Sequence, residues 1–228
     1  MTLKKYGSFP FVSRYLVVLL SVLFVGLGAS ITRISCMGTE AFTSLNYSIS
    51  EFLEIPIGSV MAAISGILLL LAFFFYRKGL GPGTVLLMTC LGYSADFWGG
   101  VISKLTGQSI RFSGMEHLGV RIMLFLLGML IMVFFSSFYL AADIGMSAYD
   151  TTGYILEKYT KIPFQWVRVG TDFICVGLTY LFAGYKGTQW ELIGIGTLIM
   201  ASGVGPIMIC LLDRVSRPLV IRLCGEKF

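Results

Sequence analysis

Asp96 and Asp172 are carboxylates set inside otherwise apolar runs, Leu80–Ser103 and Phe164–Tyr185. A charge at bilayer depth costs about 3 kcal/mol or more, so such a residue faces a partner or a polar cavity. Arg168 stands four residues before Asp172, on the same helical face, a spacing that allows a structural ion pair. Asp96 has no cation at helical spacing. That makes it the stronger candidate for a proton or cation site, because a buried carboxyl group holds its proton to higher pH. The competing reading places Asp96 at headgroup level, near the end of its run.

Two further segments carry polar groups after a glycine break. Gly38, Thr39, Glu40 and Thr43 open one; Gly145, Ser147, Tyr149 and Asp150 open the other. Apolar residues then recur at helical spacing, Phe42, Leu45, Ile49, Phe52 and Leu53 in the first. The first turn of such a helix leaves backbone N–H groups free for a substrate oxyanion. Either these helices lie flat at the interface, or they re-enter the protein and these residues line a central cavity. Two Gly-x-Gly-Thr elements, Gly81, Gly83, Thr84 and Gly194, Gly196, Thr197, open apolar runs. Close packing with a Thr-capped helix start explains them, and a backbone-lined substrate contact is the functional alternative. No Gly-Lys-Ser/Thr follows, so neither is a P-loop.

Covalent catalysis finds no support, and the chain is not read as an enzyme. HExxH and GxSxG are absent; Gly92-Tyr93-Ser94-Ala95 lacks a facing histidine, the one His (His117) lying in a loop. Tyr149-Asp150 lacks the Gly-x-Gly-Asp that would bring a second catalytic aspartate. The cysteines are scattered without a CxxC, which speaks against a structural metal. No cofactor is expected. Cys90, Cys175 and Cys210 read as small packing residues.

The elements that hold these groups are membrane helices. Of 228 residues, 56% are hydrophobic and 13% charged, and the mean hydropathy is +0.85. A soluble domain carries about a quarter charged residues, so a water-soluble globule is excluded. Crossing about 30 Å of hydrocarbon takes roughly 20 apolar residues. Tyr15–Thr32, Ile57–Tyr76, Leu80–Ser103, Ile122–Ala142, Phe164–Tyr185 and Leu192–Leu212 answer to that, which predicts an all-α protein with six spans. Lys4 and Lys5 before an apolar run resemble a leader peptide, but the repeat described next needs that run as a helix. Most Lys and Arg residues fall on the side of the two termini, which predicts both termini in the cytoplasm of a multi-pass cell-membrane protein. The net charge of +5 reports this orientation, and nucleic acid is not an expected partner. The basic tail Arg214–Lys227 is expected along the anionic inner leaflet.

The chain repeats itself. A shift of 107 pairs Arg14 with Arg121, Gly38 with Gly145, Ala41 with Ala148, Phe42 with Tyr149, Tyr47 with Tyr154 and Ile55-Pro56 with Ile162-Pro163. A shift of 113 pairs Gly81, Gly83, Thr84 and Gly92 with Gly194, Gly196, Thr197 and Gly205, the extra residues falling around Lys186–Glu191. Residues 1–112 and 113–228 thus read as two three-helix repeats of one membrane domain, each with a broken amphipathic segment. Three spans per repeat is odd, so the second repeat enters from the opposite face, a 3+3 inverted topology found in many secondary transporters.

Gly145-x-x-Ala148-Tyr149-Asp150, Ile162-Pro163, Arg168 with Asp172, and Gly194-Ile195-Gly196-Thr197 before Gly205-Pro206 resemble the YczE/YitT-like bacterial membrane proteins. Gly81-Pro82-Gly83-Thr84 with Gly92 and Asp96 is similar to that family's Gly-Thr…Gly…Asp element, and the likeness runs over residues 14–212. The resemblance implies a bacterial inner-membrane protein for which transport is the usual inference. The family pattern favours Pro before the acidic residue of the broken segment, whereas Ala148-Tyr149-Asp150 and Ala41-Phe42-Thr43 stand here. Thr43 in the place of an acid implies that the two halves have specialised.

The expected function is secondary transport of a small organic solute, cationic or zwitterionic and proton-coupled, bound between the repeats. Substrate-binding sites are expected at the two broken segments, and ion coupling at Asp96, Asp172 and Arg168. The alternative is a substrate-binding membrane subunit or a non-transporting accessory protein of a larger complex. Expected partners are the lipid bilayer, the solute and, as a homodimer, a second copy of the chain.

Overall fold

The computed structural model describes residues 9–75, 80–106, 118–187 and 192–224. The expected boundary at 112/113, His117, most of the Lys186–Glu191 insertion and several loop cations lie outside them. The described residues are helical, with no strand among them. In chain order they form α1 (Phe9–Ile34), α2 (Ala41–Leu53), α3 (Ile57–Phe75), α4 (Pro82–Thr106), α5 (Leu118–Ala141), α6 (Ala148–Thr160), α7 (Phe164–Lys186) and α8 (Ile195–Leu211). A π-helical turn, Leu212–Ser216, leads into α9 (Arg217–Cys224).

Among the described residues, five helices are long and apolar enough to cross a membrane: α1, α3, α4, α5 and α7. The sixth expected span, Leu192–Leu212, is a 17-residue helix whose apolar stretch covers Ile195–Val204. It starts late because residues 192–194 bend into the Gly-x-Gly-Thr turn, and it ends where Asp213 and Arg214 enter the π-turn. Outward faces are apolar: Phe74 is 74% exposed, Leu181 70% and Leu70 63%, the surface hydrocarbon demands. The helical backbone satisfies its own N–H and C=O groups, as crossing lipid requires.

α1 and α5 form the centre and run antiparallel. Arg14 near the start of α1 donates to Ala142 O beyond the end of α5 (3.4 Å). Arg121 near the start of α5 donates to Ser35 O (2.9 Å) and Cys36 O (2.5 Å) beyond the end of α1. Their crossing needs glycine, since a Cβ at Gly28 would lie 2.7 Å from Gly128 O. Val25, Ala29, Phe125, Met129, Met132 and Val133 pack there with Met200 of α8. α4 is tied to α1 by Ser94 Oγ and Trp98 Nε1, both donating to Leu23 O (2.9 and 3.0 Å), and by Ser30 Oγ donating to Ala95 O (2.9 Å). The tail is docked rather than loose. Val220 of α9 is buried with Ala141, and Ser216 Oγ shares a 2.5 Å hydrogen bond with Ser137 Oγ.

The 107-residue spacing reappears in the backbone. The described non-glycine residues with positive φ fall into two pairs at that spacing, Cys36 with Asp143 (49° and 49°) and Glu54 with Lys161 (59° and 59°). Glu54 and Lys161 both end short helices in the left-handed region, with N–H groups bonded to Ser50 O and Glu157 O, again equivalent positions. A left-handed residue closes a helix by satisfying its last carbonyls.

Candidate functional site

Each glycine break docks on the opposite half. Gly38 (φ +101°) lies against Thr197 and Gly194, and Gly145 (φ +134°) against Thr84 and Gly81. Gly196 N–H donates to Met37 O (2.9 Å) and Gly83 N–H to Ile144 O (3.0 Å). Gly81 N–H donates to Thr84 Oγ1 (3.2 Å), and Gly194 N–H to Thr197 Oγ1 (3.3 Å). The Gly-x-Gly-Thr elements are therefore cradles for the chain reversals at Gly38 and Gly145. Their backbone faces those loops.

These reversals launch α2 and α6 alongside spans. Along α2, Glu40 meets Arg168 and Glu54 meets Lys186, both at 2.8 Å, so α2 runs in the direction of α7 over most of its length. α6 follows α3 to its end, where Tyr159 meets Phe75 (6.0 Å between ring centroids). Ala41, Thr43, Ser44, Leu45, Asn46, Tyr47 and Ser48 of α2 are buried. Lys186 holds the exposed Glu54 carboxyl below the usual carboxylate range, by its hydrogen bond first and its charge second.

Where α2 and α6 begin, the two halves meet on Arg168. Its guanidinium pairs with Asp150 Oδ1, with Glu40 Oε1 at 2.8 Å and with Asp172 Oδ1 at 3.5 Å. It also lies 4.4 Å from the centre of the Tyr149 ring, and Phe42 stacks against that ring at 4.5 Å. Tyr149 OH donates to Asp172 Oδ1 (2.6 Å) and lies 3.1 Å from Thr171 Oγ1. Tyr139 OH donates to Asp150 Oδ2 (3.1 Å). Asp172 and Cys175, near the middle of α7, flank this cluster, Cys175 Sγ lying 3.8 Å from Tyr149 OH.

The helix starts repeat one device with its parts exchanged. At α6 the hydroxyl is on the capping residue: Ser147 Oγ accepts from Asp150 N–H (3.0 Å) and donates to Asp150 Oδ2 (2.7 Å). At α2 the carboxylate is on the capping residue, and Thr43 Oγ1 donates to Glu40 Oε2 (3.3 Å). Thr43 is thus no lost acid, because Glu40 supplies it from three residues earlier. The helix starts expected to hold a substrate oxyanion carry carboxylates instead. The site therefore repels anions. Thr39 faces away: its Oγ1 shares a 2.7 Å bond with Ser44 Oγ, and its N–H donates to Leu192 O (3.4 Å).

Three carboxylates face one guanidinium. Fully ionised, the cluster would carry two uncompensated negative charges, and leaving buried charge unpaired costs several kcal/mol. Protons or a cationic guest relieve that. Among the described residues, no group of three His, Cys, Asp or Glu is arranged to hold a metal ion.

Asp96 is not part of this cluster. Its Oδ2 accepts from Gly58 N–H (2.8 Å), so it caps the start of α3. Gly92 comes close behind it, where a Cβ would lie 2.7 Å from Gly58 Cα. The i, i+4 pair of Arg168 and Asp172 exists, but Arg168 also reaches two other elements. Tyr139, Phe42 and Thr171 were not foreseen as site residues; Tyr139 sits in an apolar helix 11 residues before Asp150, a spacing that carries no local signal.

Comparison with known proteins agrees with these observations. The chain is similar to the "Uncharacterized membrane protein YczE" of Bacillus subtilis (strain 168), 24% identical over 216 residues that cover 93% of this chain and 89% of that one. No solved structure matches. Residues 12–212 match the family described as "Family of unknown function (DUF6198)". The match runs from the first turn of α1 through the end of α8, and the protein belongs to this family of YczE-like membrane proteins.

Proposed function

We propose that the protein is a small secondary transporter of an organic cation or zwitterion, coupled to protons, with six helices in a 3+3 inverted repeat. The observation that carries this reading is Arg168 bridging Glu40 of the first half and Asp150 of the second. Transporters of inverted-repeat design place their sites between repeats, at broken helices near the bilayer midplane. The antiparallel α1 and α5, the paired positive-φ residues and the reciprocal glycine cradles support the repeat. Asp172 and Cys175, the ninth and twelfth of the 23 residues of α7, extend the site from Arg168 toward the middle of that helix. An excess of carboxylates favours a cationic guest, and their shared charge offers a place for protons in the guest's absence.

In this reading α8 is a sixth crossing, completed by the π-turn, in the cell membrane with both termini cytoplasmic. Alternate docking of each glycine reversal on its cradle opens the site to one face and then the other.

The test is flux. Proteoliposomes holding the full chain and an internal pH dye are presented with guanidinium, choline or tetramethylammonium. The expected result is a saturable internal pH change with at least one of them, abolished by Asp150→Asn. Saturable binding without flux would instead favour a substrate-binding subunit, and neither binding nor flux would overturn the reading.

A further inference from the structure

A polar cavity lies away from the Arg168 cluster. It encloses about 370 Å³ between the C-terminal part of α1, the middle of α2 and α4, with Ser30, Arg33, Tyr47, Asp96, Gly99 and Gly100 in its wall. Ligand sites for small molecules begin at about 300 Å³ and combine apolar walls with a few fixed polar groups. Here those groups carry opposite charges.

Asp96 and Arg33 are both anchored. Asp96 gives Oδ2 to Gly58 N–H, and its Oδ1 takes no hydrogen bond from any described residue. Arg33 gives Nη2 to Glu51 (2.7 Å) and lies 4.2 Å from the centre of the buried Tyr47 ring. Glu51 balances Arg33, so Asp96 is the uncompensated charge. A guanidinium has five N–H donors, and Glu51 and the Tyr47 hydroxyl engage only some of them. At Gly99 and Gly100 a Cβ would meet nothing within 4 Å, so the glycines leave this wall open.

The repeat does not require these charges. The positions matching Arg33 and Asp96 in the second half are Leu140 and Ile209, while Ser30 and Tyr47 match Ser137 and Tyr154. The first half alone carries this pair of charges on the shared frame.

We infer that this cavity is a binding site for a small zwitterion, its cationic nitrogen on Asp96 Oδ1 and its oxyanion on the remaining Arg33 donors. A plain cation would pair with Asp96 but leave the unused Arg33 N–H donors without an acceptor, and a plain anion would meet Asp96. A free amphoteric solute and a zwitterionic lipid headgroup share this chemistry. The site is separate from the Arg168 cluster and stands whether or not that cluster transports.

The test measures binding by the purified full chain. In detergent, 4-aminobutyrate and glycine betaine serve as zwitterions, with ethanolamine and acetate as single-charge controls. The expected result is a saturable rise in apparent Tm with a zwitterion, by mass action, and affinity at least tenfold lower for either control. Asp96→Asn, which keeps an acceptor for Gly58 N–H, and Arg33→Gln should each weaken binding at least tenfold. A headgroup as the native occupant would show as phosphatidylethanolamine retained from nanodiscs by the wild type and lost by Asp96→Asn, with phosphatidylglycerol retained by neither. If no probe binds and no lipid is retained, or if binding survives both substitutions, the inference is overturned.

Discussion

Phe42 and Tyr149 stack ring on ring, 4.5 Å between centroids and 16° between planes. They stand 107 residues apart, so each occupies in its own half the place the other occupies in its half. In the proposed inverted repeat, equivalent residues that touch in this way lie near the axis relating the halves. One face of Tyr149 carries Phe42, and Arg168 lies 4.4 Å from its centre.

Tyr149→Phe keeps the stack and removes the hydroxyl that reaches Asp172 at 2.6 Å. A hydrogen bond to a charged group contributes about 1.5–3 kcal/mol. Loss of that order is expected in SDS-induced unfolding from mixed micelles. Phe42→Ala removes the packing of a partly buried ring and should cost about 3 kcal/mol, the low end for loss of an aromatic.

Gly38→Ala and Gly145→Ala place a Cβ at φ +101° and +134°, against the opposite half's cradle. The backbone strain alone is about 1–2 kcal/mol, and both variants should lose folded yield. Gly170→Ala, in α7 with nothing within 4 Å of its added Cβ, serves as control. It should gain about 0.5–1 kcal/mol of helix stability.

Arg121→Gln strips Ser35 O and Cys36 O of their donors beyond the end of α1. A buried acceptor left without a partner costs about 1–3 kcal/mol. Arg14→Gln removes the donor to Ala142 O (3.4 Å) at the other end of the pair and should also destabilise. Thermal denaturation of the two variants in one detergent makes the comparison.

Glu54 and Lys186 tie the end of α2 to the end of α7. Lys186 lowers the Glu54 pKa below 4.5. A lowered carboxyl pKa adds stability above the unfolded value, and that stability fades as pH falls through the folded value. The contribution is therefore present at pH 6 and vanishes on acidification below about 4.5. Apparent Tm at pH 6 and pH 3 should differ less in Glu54→Gln than in the wild type, and high salt should narrow the gap, since the pair is exposed.

Much of this architecture was legible in local pattern. Apolar run length marked the spans, and the Gly, Ile-Pro and Gly-x-Gly-Thr punctuation marked the breaks. Such signals lie within a helix turn or two of the residues they govern. The boundary of α8 was misjudged because hydrophobicity continues through residues 192–194, where the backbone bends into the cradle turn. The i, i+4 pair of Arg168 and Asp172 was readable, but the partners Glu40 and Asp150 lie 128 and 18 residues away. Asp96 looked unpartnered because its partner is a backbone N–H of another helix, which sequence does not display.

Access to the Arg168 cluster from both faces is the most direct test of the central claim. With its native cysteines replaced, a Thr43→Cys chain in vesicles of each orientation is challenged with a membrane-impermeant thiol reagent. Expected is modification from either face, with a proton gradient or bound organic cation raising the rate on one face while lowering it on the other. Modification from one face alone, whatever the gradient, would contradict a site that two inverted halves expose in turn.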